Sequence, residues 1–311
     1  MRAIAVTQFG GPENLQELDL PEPHAGSREV RVRVHAAAVN PTDTNLRTGA
    51  YGDGGHDGPW IPGADLAGVV DEVGPDVDWW AVGDRVMALP VPMGPHGGAY
   101  ADQVVLPAAS VVRLPEGIDF VPGSTLLRNA LTARVVLQEL ALSPGQTLAV
   151  TGAAGAFGGY VIQLAKADGL TVVADASEDD TELVRGLGAD HVVPRGDDFA
   201  DHVREIVPDG ADGLADGAVQ TERVVAAIKD GGAMGTIRGW AGPAVRDITV
   251  HPVLVFEHAE RSDLLDRLRG QAADGTLTLR VAQVLPAEKA AEAHRLLEAG
   301  GVRGRLVLDF S

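Results

Sequence analysis

The run Gly152-Ala153-Ala154-Gly155-Ala156-Phe157-Gly158-Gly159 stands directly behind the apolar stretch Thr147-Leu148-Ala149-Val150-Thr151 and in front of a helical pattern from Tyr160 to Lys166. Strand, glycine-rich turn and helix start in immediate succession make a phosphate-binding device. Residues without bulky side chains let main-chain N–H groups approach a pyrophosphate, which then lies at the positive end of the helix dipole. The spacing G-x-x-G-x-x-G departs from the plain G-x-G-x-x-G fingerprint, and glycines also serve where a helix start packs closely on a strand. Context narrows the choice. A second strand, Leu170 to Ala174, follows the helix, and Asp175 ends it about 20 residues beyond the turn, where a dinucleotide-binding unit carries its ribose acid. Ala153, Gly155, Ala156, Phe157 and Gly158 are therefore the expected cofactor contacts in the turn, with Phe157 packing over the pyrophosphate or closing the sheet.

Other chemistries are bounded by composition. The chain of 311 residues has no cysteine, which removes disulfides, thiolate nucleophiles and every Cys-containing zinc site. None of its nine histidines pairs with another at metal-ligand spacing, and His251 and His258 read as surface or hydrogen-bonded core residues. A formal charge of −19 argues against a nucleic-acid partner. Lysine occurs only at 166, 229 and 289, so an anionic cofactor must be met by Arg and backbone amides. No apolar run approaches a membrane span, and the N-terminus enters a strand at Ala3 to Val6 without a signal region, so a cytoplasmic protein is expected.

The elements that must position these groups fall into three stretches. Up to about residue 115 the chain is dense in strand and turn signals: Val30 to His35 alternates apolar and polar, and Asp65 to Gly74 and Gly83 to Ala88 follow. Pro and Gly cluster between 49 and 63, giving a loop with Tyr51, His56 and Trp60 of the kind that carries binding groups on a rigid sheet. After Pro122, helices are expected over Gly123–Leu140, onward from the glycine turn to Lys166, Glu178–Leu187 and Thr221–Lys229. They alternate with strands ending at Thr151 and Ala174, at His191–Val193, near Leu214–Asp216 and at Ala233–Ile237. Such alternation means a parallel sheet with helices on both faces. From Val281 the texture of the first part returns: strand Val281–Val284, helix Ala287–Ala299 and strand Gly304–Leu308. The expected chain is α/β, with a mainly β domain of 1–120 and 262–311 and a doubly wound Rossmann domain of 121–261.

Six segments occur in the order of one family: Asn40-Pro41-Thr42-Asp43, Ile61 to Gly74, Val82-Gly83-Asp84-Arg85-Val86, Gly98 to Asp102, Ala153 to Gly158 and Gly301 to Val307. The chain resembles the medium-chain dehydrogenase/reductases, and most of all their zinc-free quinone oxidoreductase branch, the zeta-crystallin-like proteins. The resemblance runs from Met1 to Phe310. It implies that the mainly β domain is GroES-like and catalytic. In zinc-dependent relatives a catalytic Cys falls at Asn40 and a His-Glu pair at Ala64 and Asp65; one carboxylate does not hold Zn²⁺, so no metal is expected.

Without a metal, hydride attack must create charge that conjugation spreads, a condition met by quinones and α,β-unsaturated carbonyls. The resemblance implies an NAD(P)H-dependent reductase of such acceptors, in which the protein positions nicotinamide against substrate and excludes water. The alternative from another class is a dinucleotide-binding sensor or crystallin-like protein with little turnover. The expected catalytic residues are Tyr51, Asn40 and Asp43. Tyr51 is either a hydroxyl donor to a developing enolate or an aromatic plug under its loop. Asn40 places an amide near the nicotinamide ribose or substrate, and Asp43 either orients that loop or a water, or caps the turn Thr42 to Leu46. Thr132 matches a family threonine that contacts the cofactor, with Arg128 a cation nearby. Ile237 and Phe256, after the last strands, line the nicotinamide pocket or belong to the core. Ile248 to His251 reads as a sheet-edge strand, and the resemblance implies a homodimer.

For the cofactor, Asp175 alone reads as NAD-binding. Counted from Gly158, however, the diagnostic acid of NAD-using relatives falls at Ala176, and in a strand one residue changes the face. Ala176 followed by Ser177 fits a pocket for a 2′-phosphate, with Arg195 as its counter-charge. Glu178, Asp179 and Asp180 oppose this; on the pocket and its counter-charge NADP(H) is the expected cofactor, with NAD(H) the alternative.

Overall fold

The computed structural model describes residues 1–53, 55 and 57–311, so His56 of the Gly/Pro loop lies outside the described residues. The chain packs as two compact units, one of residues 1–128, 256–273 and 279–311, the other of 129–255 and 274–278. Residues 121–128 and 256–261, expected in the dinucleotide domain, thus pack with the first unit, and 274–278 with the second. The short helix Phe120–Gly123 lies on the strands Glu29–Ala38 and Leu66–Val73. At the other exchange, Gln163 Nε2 donates to Thr278 Oγ1 at 2.9 Å and Thr278 N–H donates back to Gln163 Oε1 at 3.2 Å.

In the first unit the sheet runs Val281–Pro286, Arg305–Asp309, Glu29–Ala38, Leu66–Val73, Arg85–Ala88 and Val111–Arg113, with Gln103–Pro107 also paired to Glu29–Ala38. Period-two alternation is visible in Glu29–Ala38, where Val30, Val32 and Val34 are buried and Arg33 is exposed. The strand Arg305–Asp309 pairs antiparallel with Ala36–Ala38, so the tail joins the sheet built around Glu29–Ala38. Helix Ser262–Ala273, absent from the expected series, buries Leu264, Leu265, Leu268 and Ala272 along one face.

In the second unit six strands are all parallel, in the order His191–Pro194, Thr171–Ala176, Thr147–Thr151, Ala211–Asp216, Ile228–Ile237, Thr249–Val253. Counted along the unit this is 3-2-1-4-5-6, the doubly wound order, and it reverses between Thr147–Thr151 and Ala211–Asp216. The glycine turn leaves the carboxyl end of Thr147–Thr151, beside that reversal. Asp216 ties the point together by accepting from Thr151 Oγ1 at 2.7 Å and from the Thr221 amide at 2.8 Å. The segment Thr221–Ala227 is a tight 3-10 turn rather than the expected helix, and the fifth strand already starts at Ile228. Paired β-branched residues, Val224 and Val225, and the breaking pair Gly231-Gly232 work against a longer helix there.

Candidate functional site

The turn behind Thr147–Thr151 needs its glycines for separable reasons. Gly152 has φ +65°, a left-handed conformation, and a Cβ there would come 2.9 Å from the Gly217 backbone. At Gly158 a Cβ would come 2.4 Å from the Gly152 carbonyl oxygen, so only hydrogen lets the helix start lie this close to the strand. Gly155 is the N-cap of helix Ala156–Ala167 and presents no side chain to its first turn, whose amides have no acceptor within the helix. That end is a backbone cradle for an anion. Phe157 is buried and packs on Gly217, where an added Cβ would meet its ring at 2.8 Å, so its ring closes the sheet at the strand reversal. The Ala153 amide turns inward, donating to Asp175 Oδ1 at 2.9 Å.

Asp175 is therefore not an outward-facing ribose acid. It is fully buried at the end of Thr171–Ala176, one oxygen on the turn and the other 3.5 Å from Arg195 Nε. Arg195 follows the neighbouring strand, and its backbone N–H donates to the Ala176 carbonyl at 2.8 Å. Ser177 is half-buried, and its hydroxyl donates to Asp180 Oδ2 at 2.6 Å. Asp180 is buried, so of the three acids that follow Ser177 only Glu178 and Asp179 face solvent.

The first unit holds a second polar assembly. Asn40 and Asp43 are wholly buried at the start of helix Pro41–Thr48. Asp43 accepts the Asn40 amide at 2.7 Å, the Gly63 amide at 3.0 Å and the Tyr100 hydroxyl at 3.3 Å. Burial pushes its carboxyl up to about 6, against the opposing pull of the Asn40 and Gly63 amides and of Arg128. Asp65 accepts from the Arg128 amide at 2.8 Å and from Asn40 Nδ2 at 3.2 Å, with the Arg305 guanidinium 3.7 Å away; burial raises its pKa as well. Tyr100 reaches His294 Nε2 at 3.2 Å, and burial, with the Arg47 charge, holds that imidazole down at about 3. Arg128 is partly exposed and deeply embedded; burial lowers its pKa and its guanidinium stands 5.3 Å from the Phe256 ring.

Tyr51, by contrast, is 46% exposed, and its hydroxyl accepts from Asn45 Nδ2 at 3.2 Å. Thr132 is buried within helix Leu127–Leu140. Ile237 ends the fifth strand of the second unit, half-buried, whereas Phe256 packs in the first. His251 pairs with Glu139 at 3.4 Å. Arg305, Tyr100 and His294 are members of the buried assembly absent from the expected site. Tyr100 and Arg305 do lie inside the family segments Gly98 to Asp102 and Gly301 to Val307, but nothing local marks them as neighbours of Asp43 and Asp65.

A zinc ion does not fit these donors. Asp65 offers one carboxylate, already bonded to two N–H donors beside a guanidinium, and among the described residues no three His, Cys, Asp or Glu side chains gather as metal ligands. A dinucleotide does fit: the cradle would be filled by any Cβ at Gly158, and Arg195 presents a cation one strand away.

Residues 26–116 match the alcohol dehydrogenase GroES-like domain and residues 187–308 the zinc-binding dehydrogenase family. The human quinone oxidoreductase is 28% identical over 99% of this chain and 97% of its own. The chloroplastic NADPH-dependent alkenal/one oxidoreductase of Arabidopsis thaliana is 30% identical over 99% of this chain and 79% of its own. Among solved structures, an NAD-dependent alcohol dehydrogenase is 34% identical, with TM-score 0.90 over the whole of both chains. A mycobacterial protein complexed with NADPH is 28% identical, with TM-score 0.88 over 99% of this chain and 100% of that one. The strand order, the glycine cradle and these matches together place the chain in the medium-chain dehydrogenase/reductase superfamily, in its quinone oxidoreductase branch.

Proposed function

We propose that this protein is an NADP(H)-dependent, metal-independent reductase that delivers hydride to a quinone or to the β-carbon of an α,β-unsaturated carbonyl. The observation that carries the reading is the pairing of a backbone cradle at Gly155–Gly158 with a cation, Arg195, beside the end of the second strand of the same sheet. The cradle's amides bind the pyrophosphate, and Arg195 answers a 2′-phosphate. When bound, the reduced nicotinamide supplies the hydride. The kinship with an NAD-dependent alcohol dehydrogenase keeps NAD(H) as the alternative cofactor.

In the first unit, Tyr51 is the proton donor. A hydroxyl that accepts from Asn45 keeps its own proton for a substrate oxygen, and partial exposure leaves it reachable. Asn40 and Asp43 act by position: the Asn40 amide and the loop at Gly63 are held by Asp43, and Asp65 is neutralised by guanidinium and amide groups in place of a metal. Thr132, Ser177, Ile237 and Phe256 complete the proposed cofactor contacts. Two copies of the chain join through the edge strand Thr249–Val253, and the protein works in the cytoplasm. No helix among the described residues is long and apolar enough to cross a membrane.

The test is steady-state oxidation of NADPH with panels of quinones and small enones, with and without a chelator. Turnover that a chelator leaves unchanged is expected. One observation favours a second reading, a dinucleotide-binding protein with little turnover: the side chains of Asn40 and Asp43 bond to each other's neighbourhood with no exposure at all. NADPH binding without oxidation by any acceptor would select it.

A further inference from the structure

The end of the second strand holds a carboxylate that neither the pyrophosphate cradle nor the substrate chemistry explains. Asp175 is 1% exposed at its side chain. Its Oδ1 accepts the Ala153 amide at 2.9 Å, and its Oδ2, buried, has no hydrogen-bond donor. The sole group facing Oδ2 among the described residues is the Arg195 Nε, at 3.5 Å. The arginine comes from the adjacent parallel strand, where Val193 is in register with Asp175 and Pro194 with Ala176, and its backbone is pinned by the bond from its N–H to the Ala176 carbonyl. Its side chain is 40% exposed, and its two Nη groups have no partner among the described residues. An anchored Nε with both Nη groups unclaimed is the fork that a phosphate monoester takes in bidentate fashion.

We propose that Asp175 is a positioning residue for cofactor choice: its buried carboxylate couples the glycine turn, through Ala153, to Arg195, and so aims the guanidinium at a 2′-phosphate. Turned inward, the same acid is withdrawn from the ribose 2′-hydroxyl that an acid at this end of the strand holds in NAD-binding folds. The role rests on the NADP(H) reading above, and a strand position that reads as selecting NAD here selects the phosphorylated cofactor.

The experiment is fluorescence titration of NADPH and NADH on the full chain and on Asp175→Asn, Arg195→Ala and the double variant. Asparagine keeps an oxygen for the Ala153 amide and removes the charge, and adenosine 2′,5′-bisphosphate against AMP serves as a second, nicotinamide-free pair of probes. Arg195→Ala is expected to weaken NADPH about tenfold or more and NADH little. Asp175→Asn should weaken NADPH several-fold more than NADH, and the double variant should discriminate no less than Arg195→Ala alone, because the acid acts through the arginine. Circular dichroism and a thermal midpoint check that each variant is folded; should Asp175→Asn fail this, Asp175→Glu, which keeps the charge and shifts it, must show the same loss of discrimination. Equal losses for both cofactors in Asp175→Asn, or losses that multiply in the double variant, would overturn the coupling while leaving NADP(H) binding intact. Wild-type protein that binds neither dinucleotide would overturn the functional reading itself, and this inference with it.

Discussion

Two polar regions of this chain solve opposite problems. The glycine cradle of the second unit is built from main-chain amides, and its side chains contribute by being absent: Gly152 takes a left-handed turn and Gly158 lets the helix start meet the strand. The node of the first unit is built from side chains: Asp43, Asp65, Tyr100 and His294 are fully buried, Arg305 is 5% exposed, and all are held by one another. The cradle keeps donors unclaimed within the helix so that a ligand can take them, whereas the node pairs its carboxylates and hydroxyl internally, with His294 Nδ1 buried and unpartnered, and Tyr51 lies outside it, half-exposed and bonded to Asn45. Binding capacity is thus stored in backbone geometry and rigidity in buried charge.

The widest gap between the two should appear on placing a side chain in the cradle. Gly155→Val, with its first side-chain atom already 3.0 Å from the Gly152 carbonyl, is expected to reduce NADPH binding below detection while the circular dichroism spectrum stays native. Unchanged affinity would remove the cradle from the site. The corresponding break in the node is Arg305→Leu, which strands the buried Asp65 carboxylate and should cost about 3–5 kcal/mol in urea unfolding, with part of the loss recovered in the Asp65→Leu/Arg305→Leu pair. A smaller effect, on rate rather than stability, is expected at the exposed edge. Tyr51→Phe should lower kcat by about 10²-fold with NADPH affinity unchanged, and an intact rate would make the residue a packing element.

The subtlest contrast is in pH. His294, held at about 3 in the folded protein, is neutral where an unfolded histidine is charged; between its unfolded value near 6.5 and about 3 the unfolded chain binds more protons, so this group's contribution to stability falls as pH falls. Asp43, held at about 6, has the reverse sign: the folded chain binds more protons from about 4 to 6, and the contribution falls as pH rises. The two oppose each other from about 4 to 6. In His294→Gln only the Asp43 dependence remains, so the stability of wild type relative to the variant should rise steadily from about pH 3 to 6.5 in chemical denaturation. A constant difference would mean that the imidazole is not kept neutral by burial.

The parallel-sheet unit was the more legible. Strand, turn and helix follow each other without a break from Thr147 to Lys166, and each piece is set by local residue type; the observed helix Ala156–Ala167 starts four residues before the expected Tyr160 and ends within a residue of Lys166, and strand Thr171–Ala176 lies within two residues of that expected. Thr221–Lys229 reads as one helix because its apolar period does not register the β-branched pair Val224-Val225 or the strand that starts at Ile228. Helix Ser262–Ala273 carried a readable apolar period at Leu264, Leu265 and Leu268 but fell between the recognised family segments. In the node, Asn40 and Asp43 are expected from one short segment, yet the node members Tyr100, His294 and Arg305 lie 57 or more residues from Asp43, beyond any local pattern.

The sequence by itself determined the βαβ order, the glycine cradle, the absence of thiol ligands and the family, because these depend on residue type and on spacing within some thirty positions. Only the tertiary structure decided which way Asp175 faces, that Asp65 meets the Arg305 guanidinium and the Arg128 amide, and that Asp43 and His294 share a buried hydroxyl. The physical reason is that a carboxylate's role is set by what surrounds it once water is gone, and its neighbours arrive from strands and helices that are close only after the chain has folded.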